Sequence, residues 1–375
     1  MSPLRLASIV IVMIAGVVLI TQVLIPTIED GGQADEWQFD DYRPISELGS
    51  VTGASGSLEL VTLGDARYVH AKALGAGTIE RTGAPVETVY VQKAKLDVFL
   101  MTGQSNSAYH NVAPAETDPQ PAPGTAYFWG LENRPIWEID FDPVECGMHD
   151  MTKNGSVIIG DKGPAFAATY HELTGHKVYY ITGGIGSQAV INFVPPDGSM
   201  WTHDVAVVAD AMDSIDTSVY DVRVLYYMWI QGENDKSTPV ATYKERFLAM
   251  HDAIIAGDLG ADFSKCLISK VRATNAPTAS QAQIELTEEY PDTIVMATEL
   301  ADTFTVDNGL MSSDDLHYSQ KGDNEIGVAL AECAASYAMP TEDSAVRDLL
   351  NVIPLLLIVG IIIAVVAEVV INRAG

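Results

Sequence analysis

From residue 163 onward the chain repeats one pattern, a helix-like segment followed by a short apolar run of β character. GPAFAATYHELTG precedes KVYYITG, MWTHDVAVVADAMDSI precedes VRVLYYMWI, TPVATYKERFLAMHDAIIAG precedes CLISKVRAT, and QAQIELTEEY precedes TIVMATEL, with a last helix beyond residue 317. Strands joined by helices run parallel, and a parallel sheet must be covered on both faces. With an earlier apolar run, the pattern predicts strands at 97–103, 178–183, 222–230, 266–272 and 293–299 in a flavodoxin-like three-layer α/β/α sandwich. Sheets of this kind hold their ligands beyond the C-terminal strand ends. The residues that follow each strand are therefore where chemistry is expected.

The first strand runs straight into a tight turn, DVFLMTGQSNSA, which presents Ser105 at a strand end. A hydroxyl is a poor nucleophile at neutral pH, so Ser105 needs an imidazole to take its proton and a carboxylate to orient that imidazole. Asp314-Asp315-Leu316-His317 offers both from one loop, and gives the chain order Ser, Asp, His. Two further segments place glycines and amides at strand ends, KVYYITGGIGSQ and VRVLYYMWIQGENDKS. An acyl-transfer site needs donors aimed at a developing oxyanion. The Ser105 and Gly184 amides and the Asn234 side chain are candidates. Taken singly, a turn serine, a surface DDLH loop and strand-ending glycines are common structural features.

With the four blocks in order, the chain resembles the SGNH hydrolases, in the sialate O-acetylesterase and acetylxylan-esterase-like branch. The blocks are Gly103-Gln104-Ser105-Asn106, Gly183-Gly184-Ile185-Gly186, Trp229-Ile230-Gln231-Gly232-Glu233 and Asp314-Asp315-Leu316-His317, and the resemblance covers about residues 95–340. It implies that Ser105 is the nucleophile and His317 the general base, with Gly184 and Asn234 in the oxyanion hole. Gln104 and Gln231 join them as oxyanion or substrate-binding candidates. The acid stays open between Asp314 and Glu233, because some members of the branch use the glutamate of W-x-QGE. Asp314 is favoured here because it lies three residues before His317. The substrate implied is an acetylated glycan, attacked through an acyl-enzyme without metal or cofactor. The alternatives are a lipid-directed esterase or phospholipase, and a glycan-binding surface protein that keeps the fold without turnover.

Outside this domain, residues 7–26 carry no charge, and residues 349–371 are almost uniformly apolar apart from Glu368. Each is long enough for a helix to cross a hydrocarbon layer of about 30 Å. Arg5 and Arg373 flank them, which by the positive-inside tendency puts both termini in the cytoplasm and the enzyme outside the cell membrane. Residues 28–94 alternate in short runs such as SLELVTL and VETVYVQKA between Gly-rich turns, the pattern of a small β-rich module. The segment 107–162 shows little periodicity, and Tyr127, Trp129 and Trp137 within it either floor a sugar site or pin the loop to the core. Three cysteines, Cys146, Cys266 and Cys333, make neither a disulfide framework nor a metal spacing. Fifty acidic residues against 21 basic ones give a net charge of −29, which excludes nucleic acid as a natural partner. Oligomeric state is not encoded in any of these features.

Overall fold

The computed structural model describes residues 37–108, 113–132, 134–135 and 145–338. The apolar runs 7–26 and 349–371 lie outside the described residues, as does Trp137. Among the described residues, no helix is long and apolar enough to cross a membrane.

Six parallel strands carry the main sheet: β1 (Ala94–Gly103), β2 (Ala126–Leu131), β3 (Lys177–Thr182), β4 (Tyr220–Ile230), β5 (Lys265–Ser269) and β6 (Ile294–Thr298). Their order is β2-β3-β1-β4-β5-β6. Five helices cover it: α1 (Lys162–Thr174), α2 (Ser199–Asp213), α3 (Val240–Ile255), α4 (Pro277–Glu289) and α5 (Gln320–Ala338). The five strands expected from periodicity are all present, and without β2 they form the doubly wound order of a flavodoxin-like sheet.

The central strand explains why its sequence reads as a continuous apolar run. Every residue of β1 except Lys95 is buried, because both faces are covered. Leu96, Val98 and Leu100 join Tyr227 and Trp229 in a core closed by α2, α3 and α4. Phe99 and Met101 join Met228 and Ile230 in a second core closed by α1 and α5. α1 is defined by its ends: the Asp161 carboxylate caps it by accepting from the Gly163 amide at 2.6 Å, and Gly175 ends it in the left-handed conformation at φ 69°. Such an N-cap is worth about 1 kcal/mol.

β2 corrects the reading of 107–162 as a loop. Its sequence AYFWGL is aromatic and almost fully buried, and the short strands Arg134–Pro135 and Gly147–Asp150 pair antiparallel along it. The sheet thus has eight strands and an antiparallel margin rather than a purely parallel make-up. Tyr127 and Trp129 are 4% and 0% exposed and belong to the core, so neither floors a sugar site. The Trp129 indole donates to Asp210 at 2.8 Å.

The strands before β1 form a four-stranded and a three-stranded sheet. They share a small core of Trp37, Val51, Leu58, Val69, Ala71, Ile79 and Val91. Buried Lys177 at the start of β3 holds this module, donating to Asp41 at 3.0 Å and to the Gly124 carbonyl at 2.6 Å. Module and sheet lie within one compact unit, Trp37–Ala338.

Candidate active site

Register brings the motif blocks together. Gly103 pairs with Ile230 and Met101 with Thr182, so β1, β3 and β4 end side by side and release GQSN, GGIG and QGEN along one edge. At Gly103 the chain adopts φ 135°, and a Cβ there would lie 2.1 Å from the Ile230 carbonyl oxygen. Only glycine fits this approach. The turn that follows closes on itself, with the Ser107 and Ala108 amides donating to Gln104 O at 2.8 and 3.1 Å.

Ser105 stands at the head of this turn, half-buried. His317 Nε2 lies 3.1 Å from Ser105 Oγ, and His317 Nδ1 lies 2.6 Å from Asp314 Oδ2. Serine, histidine and aspartate therefore form one hydrogen-bonded line, although Ser105 and His317 are 212 residues apart. Partial burial pushes the Asp314 carboxyl up, but the amides of His317 and Leu316 and the imidazole outweigh it, and its pKa falls to about 2. Asp314 is thus ionised throughout the neutral range, as a group that stabilises an imidazolium must be. Its side chain remains 50% exposed, so the acid end of the line faces solvent.

The loop 314–317 is anchored on its outer side. Asp315 takes φ 54°, uncommon for a residue other than glycine, and Arg272 Nη1 holds it through both its carboxylate at 2.7 Å and its carbonyl at 3.1 Å. Asn275 is within 3.4 Å of the same carbonyl.

Glu233, the rival acid, is placed differently. Its Oε1 accepts from Asn106 Nδ2 at 2.6 Å, and its Oε2 is buried with no hydrogen-bond partner. Burial pushes its carboxyl up, against the pull of its own amide, of Asn106 and of the nearby imidazole. Of the two carboxylates, only Asp314 is hydrogen-bonded to His317.

The remaining candidates form a layer beneath and beside the turn. Gln104 Oε1 accepts from the Asn234 amide at 3.1 Å and from Gln231 Nε2 at 3.4 Å. Gln231 Nε2 also donates to Gln188 O at 3.0 Å and to the Asp235 carboxylate, which in turn receives the Val190 amide at 2.7 Å. Gln104 and Gln231, 3% and 0% exposed, thus tie three loops together. Asn234 is exposed, and its side chain donates to Ser187 O at 2.9 Å. Gly184 lies against the turn that carries Ser105: a Cβ there would come within 2.2 Å of Ser107 Oγ and 2.9 Å of the Ala108 amide. At Gly186 a Cβ would sit 3.9 Å from Ser105 Cβ, which makes this glycine a neighbour of the hydroxyl itself.

Two residues in this region escaped the motif reading. Asp204 on α2 receives Thr102 Oγ1 at 2.7 Å and presses on Gly183; full burial raises its carboxyl to about 8. Asn106 was visible only as the last letter of GQSN. Among the described residues no cluster of three or more histidine, cysteine or acidic side chains is arranged to hold a metal ion.

A doubly wound sheet with these blocks on one edge defines an SGNH-like hydrolase. The family model for carbohydrate esterase, sialic acid-specific acetylesterase, matches residues 95–336, and the chain belongs to that family. It is a carboxylic ester hydrolase of the carbohydrate-esterase class. No curated protein matches the sequence. Similar solved structures include NanS, at 12% identity over 66% of this chain and 98% of that one, with a TM-score of 0.46. A protein from Arabidopsis thaliana gives 16% identity, 64% and 98% coverage and a TM-score of 0.43. A carbohydrate acetylesterase from Xanthomonas citri gives 17%, 81% and 73% coverage and a TM-score of 0.43.

Proposed function

We propose that the protein removes O-acetyl groups from carbohydrates by a serine acyl-enzyme mechanism. The observation that carries this reading is the line from Ser105 Oγ through His317 to Asp314, at 3.1 and 2.6 Å. His317 Nε2 takes the Ser105 proton as Oγ attacks the ester carbonyl, while Asp314 holds Nδ1–H and offsets the imidazolium charge. The tetrahedral oxyanion is received by the Ser105 and Gly184 amides, with the Asn234 side chain joining them once it leaves Ser187. The imidazolium then protonates the departing sugar oxygen as its bond to the acyl carbon breaks, which frees the sugar hydroxyl and leaves the acetyl group on Ser105. Water attacks this ester with His317 again as base, releasing acetate.

Acetyl and carbohydrate follow from the family, whose described specificity is an acetylesterase for sialic acid. An O-acetylated sialic acid is accordingly the first substrate to test, with acetylated xylan beside it. The protein is further proposed to be anchored in the cell membrane by 7–26 and 349–371 with the enzyme outside, a reading supported by apolar length and the flanking arginines alone. Protease added to intact cells should then digest the enzyme domain; protection of that domain would reverse the topology.

The functional experiment measures acetate release by wild type and Ser105→Ala. The variant should lose about 10⁵-fold in kcat while remaining folded, since residues of such a unit fail together. Undiminished release by folded Ser105→Ala would remove the serine mechanism.

A further inference from the structure

Asn106 is 3% exposed and uses both ends of its side-chain amide. Nδ2 donates to Glu233 Oε1 at 2.6 Å and to Leu316 O at 3.1 Å, and Oδ1 accepts from the Tyr318 amide at 3.3 Å. Leu316 and Tyr318 are the two neighbours of His317. One side chain thus grips the backbone on both sides of the imidazole, much as a paired strand would. Asn106 also follows Ser105 directly, so the clamp and the nucleophile share one turn.

The amide has two orientations, and Glu233, the Leu316 carbonyl and the Tyr318 N–H all select the same one. An unprotonated carboxylate oxygen only accepts, so Nδ2 must face Glu233 and Leu316 O, leaving Oδ1 for the Tyr318 N–H. The flipped amide would set oxygen against two acceptors and NH₂ against a donor. Burial pushes the Glu233 carboxyl up and leaves Oε2 without a partner, so an acceptor at Oε1 is what the site draws from this residue.

We infer that Glu233 and Asn106 are positioning residues: Glu233 holds the Asn106 amide in place from the side away from the 314–317 loop, and that amide clamps the peptides flanking His317 so that Nε2 meets Ser105 Oγ. The inference rests on the serine mechanism proposed above. It gives the second carboxylate of the motif a task distinct from that of Asp314.

The test measures kcat and KM for p-nitrophenyl acetate, and the rate at which a fluorophosphonate modifies Ser105, in the full chain and in E233Q, E233A, N106A and S105A. Glutamine retains an acceptor, so E233Q should stay within about 3-fold of wild type, while E233A loses about 10-fold and N106A about 10²-fold in kcat with KM unchanged. The acid limb of the kcat profile should be the same in E233Q as in wild type, and phosphonylation should slow in the same order as kcat. If N106A does not fold, the two Glu233 variants decide. E233Q as slow as E233A would show that the charge acts and overturn the inference, as would wild-type rates in E233A while S105A is inactive. Failure of the serine mechanism carries a different mark, acetate release by S105A and no phosphonylation of wild type, and would remove the clamp's purpose with it.

Discussion

Near each end of β1 an aspartate stands beside a histidine, and the two pairs do different work. At the N-terminal end Asp97, 1% exposed, receives the Tyr170 hydroxyl at 2.6 Å and the Arg223 guanidinium at 2.7 and 2.9 Å, with His176 Nδ1 at 3.0 Å. At the C-terminal end Asp314 has only His317 and two loop amides, and stands half in solvent. The buried aspartate is saturated with donors on packed elements, so it fastens the sheet. The exposed one leaves its imidazole with a second nitrogen aimed at a hydroxyl. An aspartate–histidine pair therefore says little by itself; what faces the far nitrogen, and whether substrate can reach it, separates a structural pair from a chemical one.

Substitution at each end sharpens this contrast. Asp314→Asn should cost about 10³–10⁴ in kcat with little change in unfolding temperature, since the imidazole loses its orienting acid while the loop keeps its Arg272 anchor. A steady-state assay with a melting curve reads both quantities.

Asp97→Asn should do the reverse, leaving kcat of the folded enzyme near wild type but costing about 3 kcal/mol of stability, because breaking a buried ionic cluster strands its partners. The sign of its pH dependence follows from the carboxyl's position. Burial raises the Asp97 carboxyl, but His176, Arg223 and Tyr170 outweigh it and hold it below 3.8. Its contribution is therefore present above pH 3.8 and lost as pH falls through the lower folded value. Denaturant titrations at pH 7 and pH 3 should show the wild-type advantage over Asp97→Asn shrinking on acidification. An equal gap at both pH values would count against it.

The smallest of the three effects is expected at Gly184→Ala. The added methyl meets Ser107 Oγ at 2.2 Å and the Ala108 amide at 2.9 Å, displacing the turn or the Gly184 loop by about an ångström. A misplacement of that order should lower kcat about 10²-fold, with KM moving less. Wild-type kcat in this variant would mean that the loop can shift without consequence for the oxyanion.

Much of this frame was legible in the sequence because central parallel strands are apolar on both faces and the motifs follow them directly. The five strand runs and the partnership of Ser105 with the 314–317 loop needed only periodicity and chain order. β2 was hidden because its six residues sit in a Pro-rich segment without helical neighbours, although the run AYFWGL has the aromatic content of a strand. Tyr127 and Trp129 could be read as a platform or as core, and only the burial of β2 resolves them. Which of Asp314 and Glu233 is hydrogen-bonded to His317 also needed distances, since both lie in motifs of equal standing. The clamp by Asn106 was illegible for a related reason: it joins residues 210 apart in the chain, and no spacing signals that.

The most direct test of the central claim is to trap the covalent intermediate. Wild-type enzyme treated with a fluorophosphonate and digested should give one stoichiometric adduct by mass spectrometry, on the peptide containing Ser105, with loss of activity in proportion. Asp314→Asn should form it far more slowly, and His317→Ala essentially not at all. A stoichiometric adduct on another residue, or full acetate release from protein whose Ser105 is fully modified, would contradict the account.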